Sequence, residues 1–143
     1  MFRNLLILLL STFLLFSCSK NKSQKIVTEI TDEQKAVNIY AEAVEALKEG
    51  DAFYAGKKFR EVENLLPQGE WASKASLMAS YSDYSRNAYP NAVFNLERHI
   101  KNYPADKNIP YAHYLIAMCF YEQILDEKKD LGPLLEAKKN LNL

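Results

Sequence analysis

A set of apolar and small residues recurs every 37 positions, and this period constrains the fold more than any other feature of the chain. Ala55, Phe59 and Pro67 recur as Ala92, Leu96 and Pro104. A second set occurs three times at the same interval: Tyr40, Ala43, Val44 and Leu47, then Leu77, Ser80, Tyr81 and Tyr84, then Tyr114, Ala117, Met118 and Tyr121. Such a period is typical of repeats stacked into a solenoid.

Within each unit the apolar residues have a helical spacing. Ala52, Ala55, Phe59, Val62 and Leu66 are separated by steps of three and four, which place them on one stripe of an α-helix. Alternating runs of Val, Ile and Thr, which would indicate strands, are absent from the sequence. We therefore predict an all-α fold of helix–turn–helix repeats, an α-solenoid with two complete repeats and an incomplete third.

Residues with capping preferences mark where the helices begin and end. Thr31 and Gln34 have the spacing of a capping box, so the first helix should begin near Asp32. Gly50 stands where a left-handed C′ residue belongs, and Asp51 can cap the following helix. The predicted helices cover residues 32–49, 51–66, 71–86, 88–103 and 108–126. We expect Trp71, at the start of the third helix, to pack across the junction between repeats.

The last unit departs from the period. Ala137 and Leu141 repeat Ala92 and Leu96 at an interval of 45, so about eight residues are inserted near the charged segment 126–132. Pro133 then opens a helix of ten or so residues. Because such a short helix is marginal without neighbours and no capping helix follows it, we expect the chain to be a fragment, with repeats truncated over residues 32–143.

Residues 1–18 have the pattern of an export signal. Arg3 precedes an apolar run over residues 5–16, which is shorter than the roughly 20 residues needed to span a bilayer. The run ends in a Leu-Phe-Ser-Cys sequence that resembles the lipobox of bacterial lipoproteins, although Phe16 is bulkier than the usual residue. The resemblance implies that Cys18 becomes the acylated N-terminus, followed by a flexible tether over residues 19–31. The alternative is an ordinary signal peptide with a cysteine there by chance.

The repeats behind this signal resemble a known family. The recurring Ala, Phe or Leu, and Pro positions match the tetratricopeptide pattern, whereas its early Trp, Leu, Gly and Tyr positions match poorly. The resemblance is carried by residues 39–41, 47–51, 59, 95–104, 108–111 and 121–124. Together with the lipobox, they resemble the BamD family, the tetratricopeptide-repeat lipoproteins of the outer-membrane β-barrel assembly machinery, over the first half of that family's repeats.

The resemblance implies a non-enzymatic scaffold without a cofactor. Such a protein would be anchored to outer-membrane lipid through the acylated Cys18 and would face the periplasm. It would bind unfolded outer-membrane proteins, whose C-terminal signal the early repeats are implicated in receiving. Contacts with a BamA-like barrel subunit and with other assembly lipoproteins are expected only of the full-length protein, because the family's later repeats carry most of the contact with BamA.

Tyrosines dominate the predicted concave side of the solenoid, which the first helix of each unit should line. The candidate peptide-binding residues are Tyr40, Tyr81, Tyr84, Tyr111, Tyr114 and Tyr121, six of the nine tyrosines in the chain. Tyrosine offers an extended peptide broad apolar contact and a hydroxyl at low entropic cost. The alternative, considered above all for Tyr40 and Tyr121, is that these rings pack between helices.

Other kinds of site have little support in the sequence. His99 and His113 lie 14 positions apart without other ligands at metal-binding spacing, and no phosphate loop or catalytic motif is present. Cys119 lies in the most apolar segment, which favours a buried, inert thiol. The 18 basic and 18 acidic residues give no electrostatic reason to expect a nucleic acid partner.

Two other functions remain open at this point. One is a different tetratricopeptide-repeat envelope lipoprotein that acts as an adaptor in peptidoglycan or polysaccharide machinery. The other is an envelope enzyme whose catalytic part lies downstream.

Overall fold

The computed structural model describes residues 30–124 and 130–142, and within these ranges all regular structure is helical. The helices are α1 Asp32–Lys48, α2 Ala52–Leu65, α3 Glu70–Ser85, α4 Tyr89–Asn102, α5 Ile109–Tyr121 and α6 Gly132–Leu141. The all-α prediction is thus confirmed. The predicted signal, the lipidation site at Cys18 and the tether up to residue 29 lie outside the described residues.

Every helix packs against the next helix along the chain. Because the connections between α1, α2, α3, α4 and α5 are short, these consecutive helices run antiparallel. The first helices of successive pairs also touch, α1 with α3 and α3 with α5. This is the arrangement of tetratricopeptide-like helix pairs, and the repeat count of two and a partial third stays a prediction.

The corner between α1 and α2 is closed by bonds that the sequence predicts. The N–H of Gln34 donates to Thr31 Oγ1 at the start of α1 (3.2 Å), and the N–H of Tyr54 donates to Asp51 Oδ1 at the start of α2 (2.9 Å). Gly50 has a φ of 89°. Its N–H donates to the carbonyl of Leu47, and the Asp51 N–H donates to that of Ala46. These two bonds form a Schellman motif, which satisfies carbonyls that α1 leaves free.

The corner between α3 and α4 repeats this motif with a different residue. Asn87, 37 positions after Gly50, has a φ of 61° and is the one non-glycine residue with positive φ in the described ranges. Its N–H donates to the carbonyl of Tyr84, and the Ala88 N–H donates to that of Asp83, both at 2.9 Å. Asparagine serves here because it tolerates the left-handed region better than most residues.

The end of α5 differs from the prediction. The helix ends at Tyr121, whereas the sequence placed its end at residue 126. The Gln123 side chain donates from Nε2 to the carbonyl of Cys119 (2.6 Å), and the Ile124 N–H donates to that of Tyr121 in a turn (3.1 Å). The Cys119 carbonyl thus accepts a hydrogen bond from a side chain instead of from the backbone N–H that a longer helix or a Schellman motif would supply, and the helix ends.

Two clusters of buried side chains form the core. The first joins α1, α2 and α3 and includes Ile39, Phe59 and Val62, and the second joins α3, α4 and α5 around Leu96 and Leu115. Burial of a side chain such as Phe59 contributes about 1.5–3 kcal/mol. As predicted, Trp71 packs across a repeat junction, with its ring 5.3 Å from that of Tyr40.

Helix α3 belongs to both clusters and is buried on most of its circumference. Its buried residues are almost all small: Ala72, Ser73, Ala75, Ser76, Leu77, Ala79, Ser80, Ser82 and Asp83. The hydroxyls of Ser80 and Ser82 donate to the carbonyls of Ser76 and Met78 in the same helix. These small side chains allow the neighbouring helices to approach α3 closely, and the hydroxyls of Ser80 and Ser82 are satisfied within the helix itself.

Candidate peptide-binding surface

Five tyrosines lie together where α3, the start of α4 and α5 meet. The ring centroids of Tyr81 and Tyr84 are 6.2 Å apart, those of Tyr84 and Tyr89 are 5.9 Å apart, and those of Tyr111 and Tyr114 are 6.0 Å apart. These separations lie within the range of favourable aromatic pairing. We call Tyr81, Tyr84, Tyr89, Tyr111 and Tyr114 the tyrosine surface.

The second core cluster supports this surface from below. Tyr81 and Tyr84 are half-buried against that cluster, whereas Tyr111 and Tyr114 are 42% and 46% exposed. Burial raises the pKa of Tyr111, and the neighbouring hydroxyls of Tyr81 and Tyr114 raise it further. The phenols of α3 and α5 therefore lie close enough to influence one another across the two helices.

Burial favours the neutral form of the Tyr84 and Tyr89 phenols. Burial raises the pKa of Tyr84, and the carboxylate of Glu122 adds to this effect. Burial also raises the pKa of Tyr89, whose hydroxyl donates to Asn87 Oδ1 (2.9 Å). A neutral phenol can donate and accept hydrogen bonds while its ring makes apolar contacts, which is the chemistry that an extended peptide requires.

The other two tyrosines of the predicted set lie elsewhere. The ring of Tyr40 packs edge-on against Phe59 at 5.1 Å and against Trp71 at 5.3 Å, on the first core cluster. Tyr121 is exposed at the end of α5 and, with Leu134 and Leu141 of α6, lines an apolar cavity of about 370 Å³. The structure thus brings together four of the six predicted residues.

Sequence reasoning missed Tyr89. It is the first residue of α4, a second helix of its pair, whereas the prediction considered only the first helices. Asn87, which reverses the chain just before it, and Pro90, which fixes the start of α4, place its ring beside Tyr84. The 37-residue correspondence between Gly50 and Asn87 was the signal that could have indicated a tight corner here.

The histidines and the cysteine lie outside this surface. His99 is fully buried, and burial lowers its pKa, so its ring is neutral near pH 7. The Nδ1 atom of His113 lies 3.3 Å from Asn140 Oδ1. Residues 30–124 and 130–142 contain no group of three side chains that could hold a metal ion. Cys119 is buried, as predicted, and burial raises the pKa of its thiol to about 11.

No helix in the described part of the chain combines the length and the apolar character needed to span a bilayer. Residues 32–143 match the YfiO family, which is described as a family of outer membrane lipoproteins. The chain belongs to this family.

Individual members of the YfiO family are similar to the chain over most of its length. It is 35% identical over 103 residues to the outer membrane protein assembly factor BamD of Caulobacter vibrioides, covering 72% of the chain and 34% of that relative. Identity is 32% over 112 residues with BamD of Rickettsia prowazekii and 29% over 112 residues with BamD of Xylella fastidiosa. These matches cover 78% of the chain and 42% and 37% of the relatives. The chain thus spans roughly two fifths or less of the length of these BamD proteins.

Proposed function

We propose that this chain is the N-terminal part of an outer-membrane protein assembly factor, and that its tyrosine surface binds extended segments of unfolded β-barrel proteins. The observation that carries the proposal is two neighbouring groups of tyrosine rings, one on α3 and the start of α4 and one on α5, in a member of the YfiO family. The BamD relatives, which are named for this process, support the same role.

The proposed ligand follows from the chemistry of the surface. Strands of a membrane barrel are rich in aromatic and aliphatic side chains on the face that will meet lipid. Each offset aromatic pair contributes about 0.5–1.5 kcal/mol beyond the burial of area. Several weak contacts with rings that are already half-buried suit a scaffold that binds many related sequences, because little side-chain entropy is lost on binding.

The proposal includes an anchor at the outer membrane. Acylation of Cys18 would hold the protein to outer-membrane lipid, with the repeats in the periplasm. Residues 19–31, the predicted tether, would join this anchor to the repeats. The repeats would act as a non-catalytic scaffold close to the membrane in which barrels are inserted.

The partners of the whole protein are part of the same proposal. Unfolded outer-membrane proteins are the partners proposed for this chain, whereas a BamA-like barrel subunit and other assembly lipoproteins are proposed only for the full-length protein. The adaptor function in peptidoglycan or polysaccharide machinery has no specific observation in its favour.

A crosslinking experiment tests the peptide-binding role. A peptide from the last strand of an outer-membrane barrel, carrying a photoreactive group, would be incubated with the intact protein. Replacing both Tyr81→Ala and Tyr84→Ala should lower the crosslinking yield about tenfold, because two ring contacts are lost. Tyr54→Ala, on α2 and outside the surface, is the matched control and should retain the yield. An undiminished yield in a double variant that circular dichroism shows to be folded would contradict the proposal.

A further inference from the structure

A second surface lies along the sides of α2 and α4. These two helices do not pack against each other. They are bridged by the ion pair of Arg98 with Glu63 (3.0 Å) and through the Asp83 carboxylate of α3, which lies between them. Phe53, Lys57 and Arg60 of α2 line a cavity together with Glu61 and Asn64, and Arg86 at the end of α3 contacts the Phe53 ring. Phe94 is exposed on α4 directly before Asn95, which reaches Asp83. We call Phe53, Lys57, Arg60, Arg86 and Phe94 the outer groove.

The outer groove contains more guanidinium donors than its own carboxylate can use. Asp83 is buried and accepts from Arg60 Nη2 (2.5 Å), Arg86 Nε (3.2 Å), Arg86 Nη2 (3.0 Å) and Asn95 Nδ2 (2.8 Å). The Arg60 and Arg86 side chains are 38% and 35% exposed. Two positive charges thus share one negative charge, and each guanidinium carries five N–H groups, so donors remain for a second anion.

Two exposed aromatic rings accompany these cations. Phe53 and Phe94 are 69% and 67% exposed. The Arg86 guanidinium lies 5.6 Å from the centre of the Phe53 ring, and Phe94 directly precedes Asn95, which binds Asp83. Exposed aromatic residues beside arginine are the composition that dominates the energetics of protein–protein interfaces.

We propose that the outer groove docks a segment of a partner protein that presents a carboxylate between apolar side chains. The carboxylate would receive the free N–H groups of Arg60 and Arg86, and the apolar side chains would cover Phe53 and Phe94. Planar guanidinium groups pair with carboxylates in a bidentate geometry. Exposed phenylalanine rings beside partly exposed guanidinium groups have the composition of a protein interface, which favours a protein partner over lipid.

Binding of defined probes to the full-length protein tests this proposal. The probes are a fluorescent peptide that alternates Glu and Phe, the same peptide with Gln in place of Glu, and vesicles of phosphatidylethanolamine and phosphatidylglycerol. Fluorescence anisotropy should show the acidic peptide binding about tenfold more tightly than its amide counterpart. Phe53→Ser with Phe94→Ser should weaken that binding about tenfold, and Lys57→Gln should weaken it by a smaller factor.

The substitutions are chosen to keep the fold. Phe53, Phe94 and Lys57 are exposed, whereas Arg86 binds buried Asp83 and would risk destabilising the protein. Lys48→Gln, exposed on α1 and outside both surfaces, is the control and should leave binding of the acidic peptide unchanged. The preference for Glu over Gln in the peptide depends on the arginines of the outer groove and not on the tyrosine surface, so failure here is separable from failure of the proposed function. Equal binding of the acidic and amide peptides, no effect of the phenylalanine substitutions, or vesicle binding that depends on Phe53 and Phe94 would each overturn the proposal.

Discussion

The carboxylate of Asp83 joins three helices. It accepts hydrogen bonds from α2, α4 and the end of α3, and it is almost completely buried. No pattern in the sequence indicates this network, since Arg60 and Asp83 are 23 positions apart and neither follows the 37-residue period. Periodicity reveals residues that every repeat shares, but not an ion pair that occurs in a single place.

We expect Asp83→Asn to destabilise the protein by on the order of 2–4 kcal/mol. The neutral amide would present a donor towards Arg60 and Arg86, although their partial exposure lets water hydrate them and limits the cost. Urea denaturation measures the free energy of unfolding. Glu97→Gln, which removes an exposed carboxylate from α4, should change that free energy by less than about 0.5 kcal/mol.

His99 should make the stability of the protein depend on pH. Burial lowers its pKa in the folded protein below the ordinary value of 6.5, and Arg98 acts in the same direction, whereas Asp106 and Glu63 oppose the shift. The unfolded chain therefore binds the proton more tightly. The contribution of neutral His99 to the free energy of unfolding is fully present above about pH 6.5. It is lost as the pH falls from there towards the pKa that His99 has in the folded protein.

Thermal melts at pH 7.5 and pH 5.5 would test the role of His99. The melting temperature should fall at the lower pH, with one group contributing at most about 1.4 kcal/mol per pH unit. His99→Leu should flatten this dependence, while His113→Gln should preserve it. An equally steep dependence in His99→Leu would show that other groups are responsible.

At the scale of elements, most helix boundaries could be predicted from the sequence. Helices α1 to α4 begin and end within one or two residues of their predicted positions, because capping residues and prolines act locally. The predicted end of α5 was wrong because the side chain of Gln123 binds a carbonyl at the end of that helix. Glutamine is a good helix former, so its presence in a sequence does not predict a helix end. Asn87 was missed because only its correspondence with Gly50 distinguishes it from other asparagines.

The corner between α1 and α2 offers a test of the correspondence between Gly50 and Asn87. Gly50→Ala should destabilise the protein by about 1 kcal/mol, because alanine is strained at a φ of 89°. Gly50→Asn should cost roughly half as much, since asparagine occupies the same position in the next corner. Urea denaturation of the two variants, with Glu49→Ala as an exposed control, measures the difference. A smaller cost for alanine than for asparagine would contradict this account.

At the scale of the whole molecule, contacts are confined to near neighbours. Within the described ranges each helix touches the preceding and following helices, and the first helices of successive pairs touch one another. The sequence predicted this stacking, and it predicted tyrosines on the first helices. Packing between helices was considered above all for Tyr40 and Tyr121: Tyr40 does pack on the core, whereas Tyr121 is exposed. Only the relative placement of neighbouring helices decides burial.

We expect protection against hydrogen exchange to be highest in α3 and lowest in α6. Helix α3 is buried on most of its circumference, whereas Ala137 is the one buried residue of α6. Ala137→Asp should increase exchange in α6 and in the facing part of α5 and leave α1 and α2 unchanged, because stability in stacked repeats passes between neighbours. Mass spectrometry of deuterium uptake measures this, and a uniform loss of protection along the chain would argue against local stacking.

The Schellman motifs at Gly50 and Asn87 also bear on how the protein acquires its shape. Each reversal of direction depends on hydrogen bonds that span six residues, with no contribution from distant parts of the sequence. A helical pair can therefore form as soon as its own residues are available, and later pairs can assemble onto it one after another. A chain that becomes available from its N-terminus onward, as during synthesis, can therefore acquire its structure one pair at a time.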